Sequence, residues 1–292
     1  MTSADEMSPR PSGVIHDIGY RRYTGPRLGR RHATAALYVH SLRTAFGLGR
    51  SAKAKIFPGI VIALAFAVAI VAVAVRAQTD QVAMTYLQYV DGLAIPLVLF
   101  LAVVAPEIVC RDLRARVLPL YFSRPLGRSD YALAKLAAMI SAVWLLLAAP
   151  LLLMFLGGVF DQTGGASGAW NEFTDFLGGL GYAAITAVVL GAFAVPLASL
   201  SSRRAVSAVV IAAAFTVTTP IIGVVQEIGG TTARQVVPLV NPVSIVTGLE
   251  SWIYQTDELE IGRFGPLYLA TAVAVVGVGT AALILRYRKV EA

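Results

Sequence analysis

Residues 57–75 read FPGIVIALAFAVAIVAVAV, an apolar run without one charged or hydrogen-bonding side chain. A helix rises about 1.5 Å per residue, so a run of this length crosses about 30 Å of hydrocarbon. Core helices of soluble proteins have shorter uninterrupted runs, and this length is typical of a transmembrane span. We therefore predict that the chain enters a membrane here, through a span that serves as an uncleaved anchor.

Five further segments have the same character. We predict spans over residues 57–75, 93–109, 132–157, 177–200, 205–225 and 264–285. The composition agrees, because 57% of the 292 residues are hydrophobic and only 14% are charged. Soluble domains have about 45–50% apolar and about 25% charged residues. The expected fold is therefore an all-α polytopic membrane protein with six transmembrane helices.

Five prolines lie within or at the edges of these segments. They are Pro96, Pro106, Pro150, Pro196 and Pro220. In a membrane bundle, neighbouring helices can satisfy the carbonyl groups that a proline leaves without a partner. We therefore predict kinks at these prolines and not helix ends.

The basic residues predict the orientation of the chain. It carries 24 Lys and Arg and a formal net charge of +7. With six spans, all but Arg76, Arg234 and Arg263 fall on the side that holds both termini. Lys and Arg concentrate in cytoplasmic loops, so both termini are predicted to be cytoplasmic in a bacterial-type inner (plasma) membrane. Because this orientation explains the charge, we expect contact with lipid and none with nucleic acid.

The N-terminal region is predicted to have two parts, an arm over residues 1–32 and an interfacial amphipathic helix over residues 33–56. The transmembrane domain then occupies residues 57–292. Apolar residues of the predicted interfacial helix recur on one face, at Ala35, Val39, Leu42 and Phe46. Leu37 falls off this face. Within the arm, the aromatic and basic residues 15–31 fit three readings: a protein-binding segment, a membrane-binding segment or a solvated tail.

Two segments are expected on the side opposite the termini. Residues 161–176 are rich in glycine and then in aromatic and acidic residues, which we interpret as a loop. Residues 226–263 are moderately apolar and include Trp252 and Tyr254, residue types that favour the membrane interface. We predict short interfacial or re-entrant helices there, with a plain surface loop as the alternative.

The chain lacks the motifs of an enzyme or of a self-powered transporter. It has no GxxxxGK[ST] phosphate-binding loop, no HExxH and no Cys/His cluster. Its single cysteine, Cys110, cannot form an intrachain disulfide and is assigned no role. No ionisable residue lies at the middle of a predicted span, which disfavours an ion-driven carrier. We expect no cofactor and no metal in this chain.

The segment between the second and third spans is the most informative. Residues 106–135 read PEIVCRDLRARVLPLYFSRPLGRSDYALAK. An exposed-looking apolar cluster, Leu118, Leu120, Tyr121 and Phe122, lies between two basic patches, and a turn signal follows it at 123–125. Ser129 and Asp130 are predicted to cap the third span. An apolar cluster of this kind indicates docking into a groove on another protein.

This arrangement resembles the permease subunits of ABC-2 type transporters. These permeases have six spans, cytoplasmic termini, an N-terminal interfacial helix and outer re-entrant helices before the last span. Their loop between spans two and three runs from an acidic residue through a basic segment to a Ser-Arg-Pro-like turn and a Lys, here Glu107, residues 111–122, residues 123–125 and Lys135. The resemblance implies coupling or ATPase-docking residues at Glu107, Arg111, Asp112, Arg114, Arg116, Leu118, Leu120, Tyr121, Phe122, Arg124 and Arg128.

The same resemblance implies the partners. A separate nucleotide-binding ATPase subunit would bind ATP and Mg²⁺, and a second permease protomer, identical or related, would complete the pathway. The expected role is export of an amphipathic or lipid-like substrate, with no enzymatic activity in this chain. The main alternative is a non-transporting membrane scaffold or assembly subunit. An intramembrane enzyme is disfavoured, because the spans lack paired acids, histidines and Ser/Lys dyads. Residues 15–31 have no counterpart in the family pattern.

Overall fold

The computed structural model describes residues 25, 28–79, 81–115, 117–123, 126–161 and 165–289. These residues form α-helices and two short 3-10 helices, Val237–Val240 and Gly262–Phe264, and they contain no strand. The α-helices are α1 (Arg30–Ala45), α2 (Ala52–Thr79), α3 (Tyr86–Gly92), α4 (Ala94–Arg114), α5 (Leu118–Phe122), α6 (Arg128–Asp161), α7 (Gly165–Ser199), α8 (Arg204–Thr216), α9 (Thr218–Ile228), α10 (Thr231–Val236), α11 (Pro242–Ile253) and α12 (Gly265–Lys289).

Six helical stretches are long and apolar enough to cross a membrane: α2, α4, α6, α7, α8 with α9, and α12. The predicted all-α polytopic membrane fold is confirmed. In α4, α6 and α7, 67%, 50% and 56% of the most apolar stretch is buried, against 28%, 11% and 17% in α2, α8–α9 and α12. The first three helices therefore form the centre of the bundle. The other three present apolar sides outward, as helices in contact with lipid do.

The N-terminal helix α1 ends earlier than the sequence predicts. Gly47 and Gly49 adopt φ of +68° and +76°, and a Cβ on Gly47 would lie 2.6 Å from the Ala54 carbonyl oxygen. These glycines make a turn because a residue with a side chain is strained there. The predicted interfacial helix over residues 33–56 is therefore two elements, α1 and the first turn of α2.

The protein-facing side of α1 also differs from the predicted one. Leu37, Ser41, Thr44 and Ala45 are buried, whereas Ala35 and Val39 of the predicted apolar face are exposed. Leu37 breaks the predicted amphipathic pattern because it packs into the bundle. The Tyr38 hydroxyl is within hydrogen-bonding distance of Ser141 Oγ on α6, at 2.9 Å, which fastens the same side of the helix.

Pro220 lies just after a local interruption of the fifth span, whereas the other interior prolines lie in spans without one. Pro106, Pro150 and Pro196 lie within unbroken helices, but the fifth span divides at Val217 into α8 and α9. A proline clashes with the carbonyl group four residues earlier and donates no hydrogen bond, which explains the break. Val217 keeps helical dihedral angles, with φ of −63° and ψ of −33°, and residues 204–228 together form one candidate span, so the prediction that no span ends at this proline holds. The Asn241 side chain donates to the Phe215 carbonyl oxygen at 2.9 Å and so satisfies a group beside the break.

Helices extend into both segments opposite the termini. Helix α7 begins at Gly165, so most of the segment interpreted as a loop is helical. Phe173 and Phe176 on this extension pack against Phe155 of α6, with ring centroids 6.1 and 4.6 Å apart. In the second segment, α11 has the side chains of Ile245 and Leu249 buried. The predicted short helices are confirmed here, and the plain-loop alternative is wrong.

Candidate functional site at the basic end of the bundle

The six spans alternate in direction and give the bundle two different ends. The end at which α2, α6 and α8 begin and α4, α7 and α12 finish is called the basic end. The opposite end, where α3 and α11 lie, is called the acidic end. The segment singled out in the sequence, from Glu107 to Lys135, lies at the basic end and includes the short helix α5.

Glu107 joins three parts of the basic end. It lies in the last third of α4, is 7% exposed and forms ion pairs with Arg50 and Arg204. Arg50 lies in the turn before α2, and Arg204 is the first residue of α8. A buried carboxylate needs such partners, because desolvation of an unpaired charge is costly. One side chain therefore connects the second span to the segments that start the first and fifth spans.

Lys135 forms a second buried connection. Its Nζ lies 2.8 Å from Asp112 Oδ2 and donates to the Ile108 carbonyl oxygen at 3.0 Å. The Tyr131 hydroxyl donates to the same Asp112 oxygen at 2.6 Å, and the Tyr131 ring packs on Tyr287 of α12, with centroids 4.9 Å apart. Asp112, predicted from the family resemblance as a docking residue, is instead tied to the interior.

Asp130 connects α6 to the N-terminal helix. Its carboxylate accepts from Arg30 Nε at 2.5 Å and Nη2 at 2.7 Å, and from the Gly127 N–H at 3.1 Å. The predicted cap at Ser129 and Asp130 is wrong, because α6 begins at Arg128 and both residues lie in its first turn. The Asp130 carboxylate still accepts from the N–H of Gly127 just before the helix, and the start of a helix is a favourable place for a negative charge.

The predicted apolar docking cluster is mostly packed into the protein. Leu118 is buried, and Tyr121 and Phe122 lie against Tyr131, with ring centroids 5.6 and 6.1 Å apart. Leu120, with 68% of its surface exposed, is the member of the cluster that remains available to a partner. The prediction of an exposed cluster is therefore wrong for Leu118 and holds in full for Leu120. One face of α5 covers Tyr131, and the sequence alone does not show which face.

Of the basic residues of the predicted site, some are exposed and one contacts other parts of the protein. Arg111 and Arg114 at the end of α4 are exposed. Arg128 donates to the Arg288 carbonyl oxygen at 2.7 Å, and its guanidinium lies 5.5 Å from the Phe122 ring centroid. Arg116 and Arg124 lie outside the described residues. Among the described residues of the candidate site, the exposed ones are Arg111, Arg114 and Leu120.

Sequence reasoning missed a polar network at the acidic end. Arg76 Nη2 lies 2.7 Å from Glu172 Oε2, and the Tyr86 hydroxyl donates to Glu172 Oε1. Burial, together with the neighbouring Glu172 carboxylate, raises the pKa of Tyr86 well above its ordinary value. The available signal was Arg76, one of the few basic residues placed on this side by the topology. Its partner could not be named, because Glu172 lay in a segment interpreted as a loop.

Comparison of the sequence with protein-family models finds no match, and comparison with curated proteins finds none. Among the described residues, no group of three or more His, Cys, Asp or Glu side chains is arranged to hold a metal ion.

Proposed function

We propose that the chain is the permease subunit of an ABC-2 type transporter in a bacterial-type inner membrane. It pairs with a second permease protomer, and a separate ATPase subunit supplies the energy. The observation that carries the proposal is the pair of ion pairs on Glu107. They connect the second span, which leads to α5, with the starts of the first and fifth spans.

These connections support a mechanical role for the basic end. Helix α5 packs on Tyr131 of α6, and the Lys135–Asp112 ion pair ties α6 to the end of α4. A force on α5 therefore reaches both flanking spans, and Glu107 passes it to Arg50 and Arg204. Breaking a buried ion pair such as Lys135–Asp112 costs several kcal/mol, so the segments that it joins move together. ATP-driven closure of the ATPase subunit is the proposed source of the force.

The proposed cargo is amphipathic or lipid-like, and the proposed direction is export. The apolar sides of α2, α8–α9 and α12 and the scarcity of charge within the spans support a pathway for such a molecule.

The test is affinity purification of the tagged chain in mild detergent, followed by mass spectrometry of the co-purifying proteins. We expect a stoichiometric ATPase with a phosphate-binding loop. Leu120→Asp is expected to reduce its recovery about tenfold or more, because a charge would replace the exposed apolar contact. Leu120→Met keeps the apolar surface and serves as the matched control.

Two results would contradict the proposal. Unchanged ATPase recovery with Leu120→Asp would exclude α5 as the docking element. A stable complex without any ATPase would favour the scaffold function. Leu118 and Tyr121 are unsuitable for this test, because both are packed into the protein and their replacement would disturb folding.

A further inference from the structure

A cavity of about 660 Å³ opens at the acidic end, between α2, the segment around α3, α7 and the residues that follow α11. Part of its wall is apolar and includes Val73, Met84 and Met154. Tyr86 and Tyr254 add aromatic surface. Small-molecule sites measure about 300–1,000 Å³ and combine apolar walls with a few polar groups. The cavity has the size and the mixed lining of such a site.

The charged residues of this cavity are strongly biased to one sign. Five carboxylates line it: Glu172, Asp175, Glu250, Asp257 and Glu258. Arg76 is the one cationic side chain among the described lining residues, and it forms an ion pair with Glu172. An apolar wall beside an excess of carboxylates favours a positively charged ligand and disfavours an anion, because like charges repel.

Glu250 also takes part in a pair of carboxyl groups beside the cavity. Glu250 is fully buried, and Asp91 lies beside the preceding turn of the same helix, where its Oδ1 accepts from Thr247 Oγ1 at 3.4 Å. Asp91 Oδ1 accepts from the Tyr182 hydroxyl at 2.5 Å, and Glu250 Oε1 accepts from Thr256 Oγ1 at 3.3 Å. The remaining oxygens, Asp91 Oδ2 and Glu250 Oε2, are buried and accept no hydrogen bond from the described residues.

Two neighbouring buried carboxyl groups repel each other when both are ionised, which favours the protonated form of Glu250. Burial, and then the neighbouring Asp91, raises the pKa of Glu250 to about 8. The other titratable groups around Glu250 are Tyr182 from α7 and Tyr254 and Glu258 after it in the chain. Helix α12 contributes Tyr268, which packs against Gly248 of α11.

We propose that this cavity binds an organic cation with an apolar body, and that binding releases the proton held by Glu250. The apolar part of the ligand lies against the Met and Val wall, and Tyr86 and Tyr254 place aromatic surface beside the positive charge. A cation near Glu250 stabilises its ionised form, so the proton leaves Glu250 for the solvent. Binding involves this chain alone and does not depend on an ATPase partner. A negative result in the binding experiment therefore leaves the proposed transport function standing, and the absence of an ATPase partner leaves the binding proposal standing.

The test uses the purified full-length chain in non-ionic detergent and two probes of matched shape and opposite charge, tetraphenylphosphonium and tetraphenylborate. Equilibrium dialysis is expected to show saturable binding of the phosphonium and at most weak, non-saturable uptake of the borate. A pH indicator in weakly buffered solution near pH 7 is expected to report proton release upon phosphonium binding. Glu250→Gln is expected to abolish that release and to weaken binding about tenfold.

Variants of exposed residues keep the test independent of folding. Asp257→Asn with Glu258→Gln is expected to weaken phosphonium binding while proton release at saturation persists. Glu260→Gln changes a carboxylate outside the cavity lining and is expected to leave both readouts unchanged. Equal, saturable binding of the borate would overturn the proposal, because it would show an apolar site without charge selection. Undiminished proton release in Glu250→Gln would overturn the role of the carboxyl pair.

Discussion

Glu107 forms ion pairs with Arg50 and Arg204 at the basic end of the bundle. Glu107→Gln removes the charge and keeps the shape. Removing one member of a fully buried pair costs about 3–5 kcal/mol. Because the Arg204 side chain is about half exposed, we expect a smaller loss, about 1–3 kcal/mol, measured as a lower Tm in detergent.

The proposed role of Glu107 in coupling needs a second readout. We expect Glu107→Gln to reduce ATP-dependent transport more than it reduces the membrane yield of the protein. Equal losses of transport and yield would indicate a folding role alone. Glu260→Gln is the matched control, because this carboxylate is exposed at the acidic end and its replacement should change neither quantity.

The Asp91–Glu250 pair predicts a pH-dependent stability. The pKa of Glu250 is about 8 in the folded protein, above the ordinary value of 4.5. Between these values the folded protein keeps a proton that the unfolded chain has lost, so raising the pH through this range favours unfolding. We expect the Tm of the wild type to fall by a few degrees more than that of Glu250→Gln between about pH 5.5 and pH 8.5. Parallel curves for the two proteins would contradict a protonated Glu250 in the folded protein.

At the scale of elements, the sequence predicts which segments are spans better than it predicts what they pack against. Each span must itself be apolar, so its composition reveals it. The buried face of α1 and the covered face of α5 depend on partners far away in sequence, such as Ser141 and Tyr131. The helical extension at the start of α7 was not predicted for the same reason. Its polar residues are typical of a loop, and their partners Arg76 and Tyr86, which contact Glu172, are distant in the sequence.

Helix α12 offers a matched pair of glycines for testing one of these contacts. A Cβ on Gly279 would overlap the Ala192 carbonyl oxygen of α7, whereas a Cβ on Gly277 would meet no atom within 4 Å. Alanine in a helix is favoured over glycine by up to about 1 kcal/mol. We expect Gly277→Ala to maintain or raise the Tm and Gly279→Ala to lower it by several degrees. A similar Tm for the two variants would indicate that α12 does not approach α7 this closely.

The molecule as a whole has a clear charge asymmetry, and this asymmetry decides its proposed orientation. Arg30, Arg50, Arg111, Arg114 and Arg204 lie at the basic end. The charged residues that line the cavity at the opposite end are mainly carboxylates. The sequence already contained this division, since positive charge is retained on the cytoplasmic side. The carboxyl pair of the acidic end was beyond sequence reasoning, because Asp91 and Glu250 come together only when α3 and α11 meet beside α7.

Thiol labelling tests this orientation directly. Glu260 at the acidic end and Ser123 at the basic end are both exposed, so each can carry a reporter cysteine. The native Cys110 is buried, with its sulfur near the Ala198 carbonyl oxygen at 3.3 Å, and should contribute little background. We expect a membrane-impermeant maleimide to label Glu260→Cys in intact cells and to label Ser123→Cys only after permeabilisation. The reverse pattern would place the basic end outside, where no cytoplasmic ATPase could reach α5, and would exclude the proposed coupling.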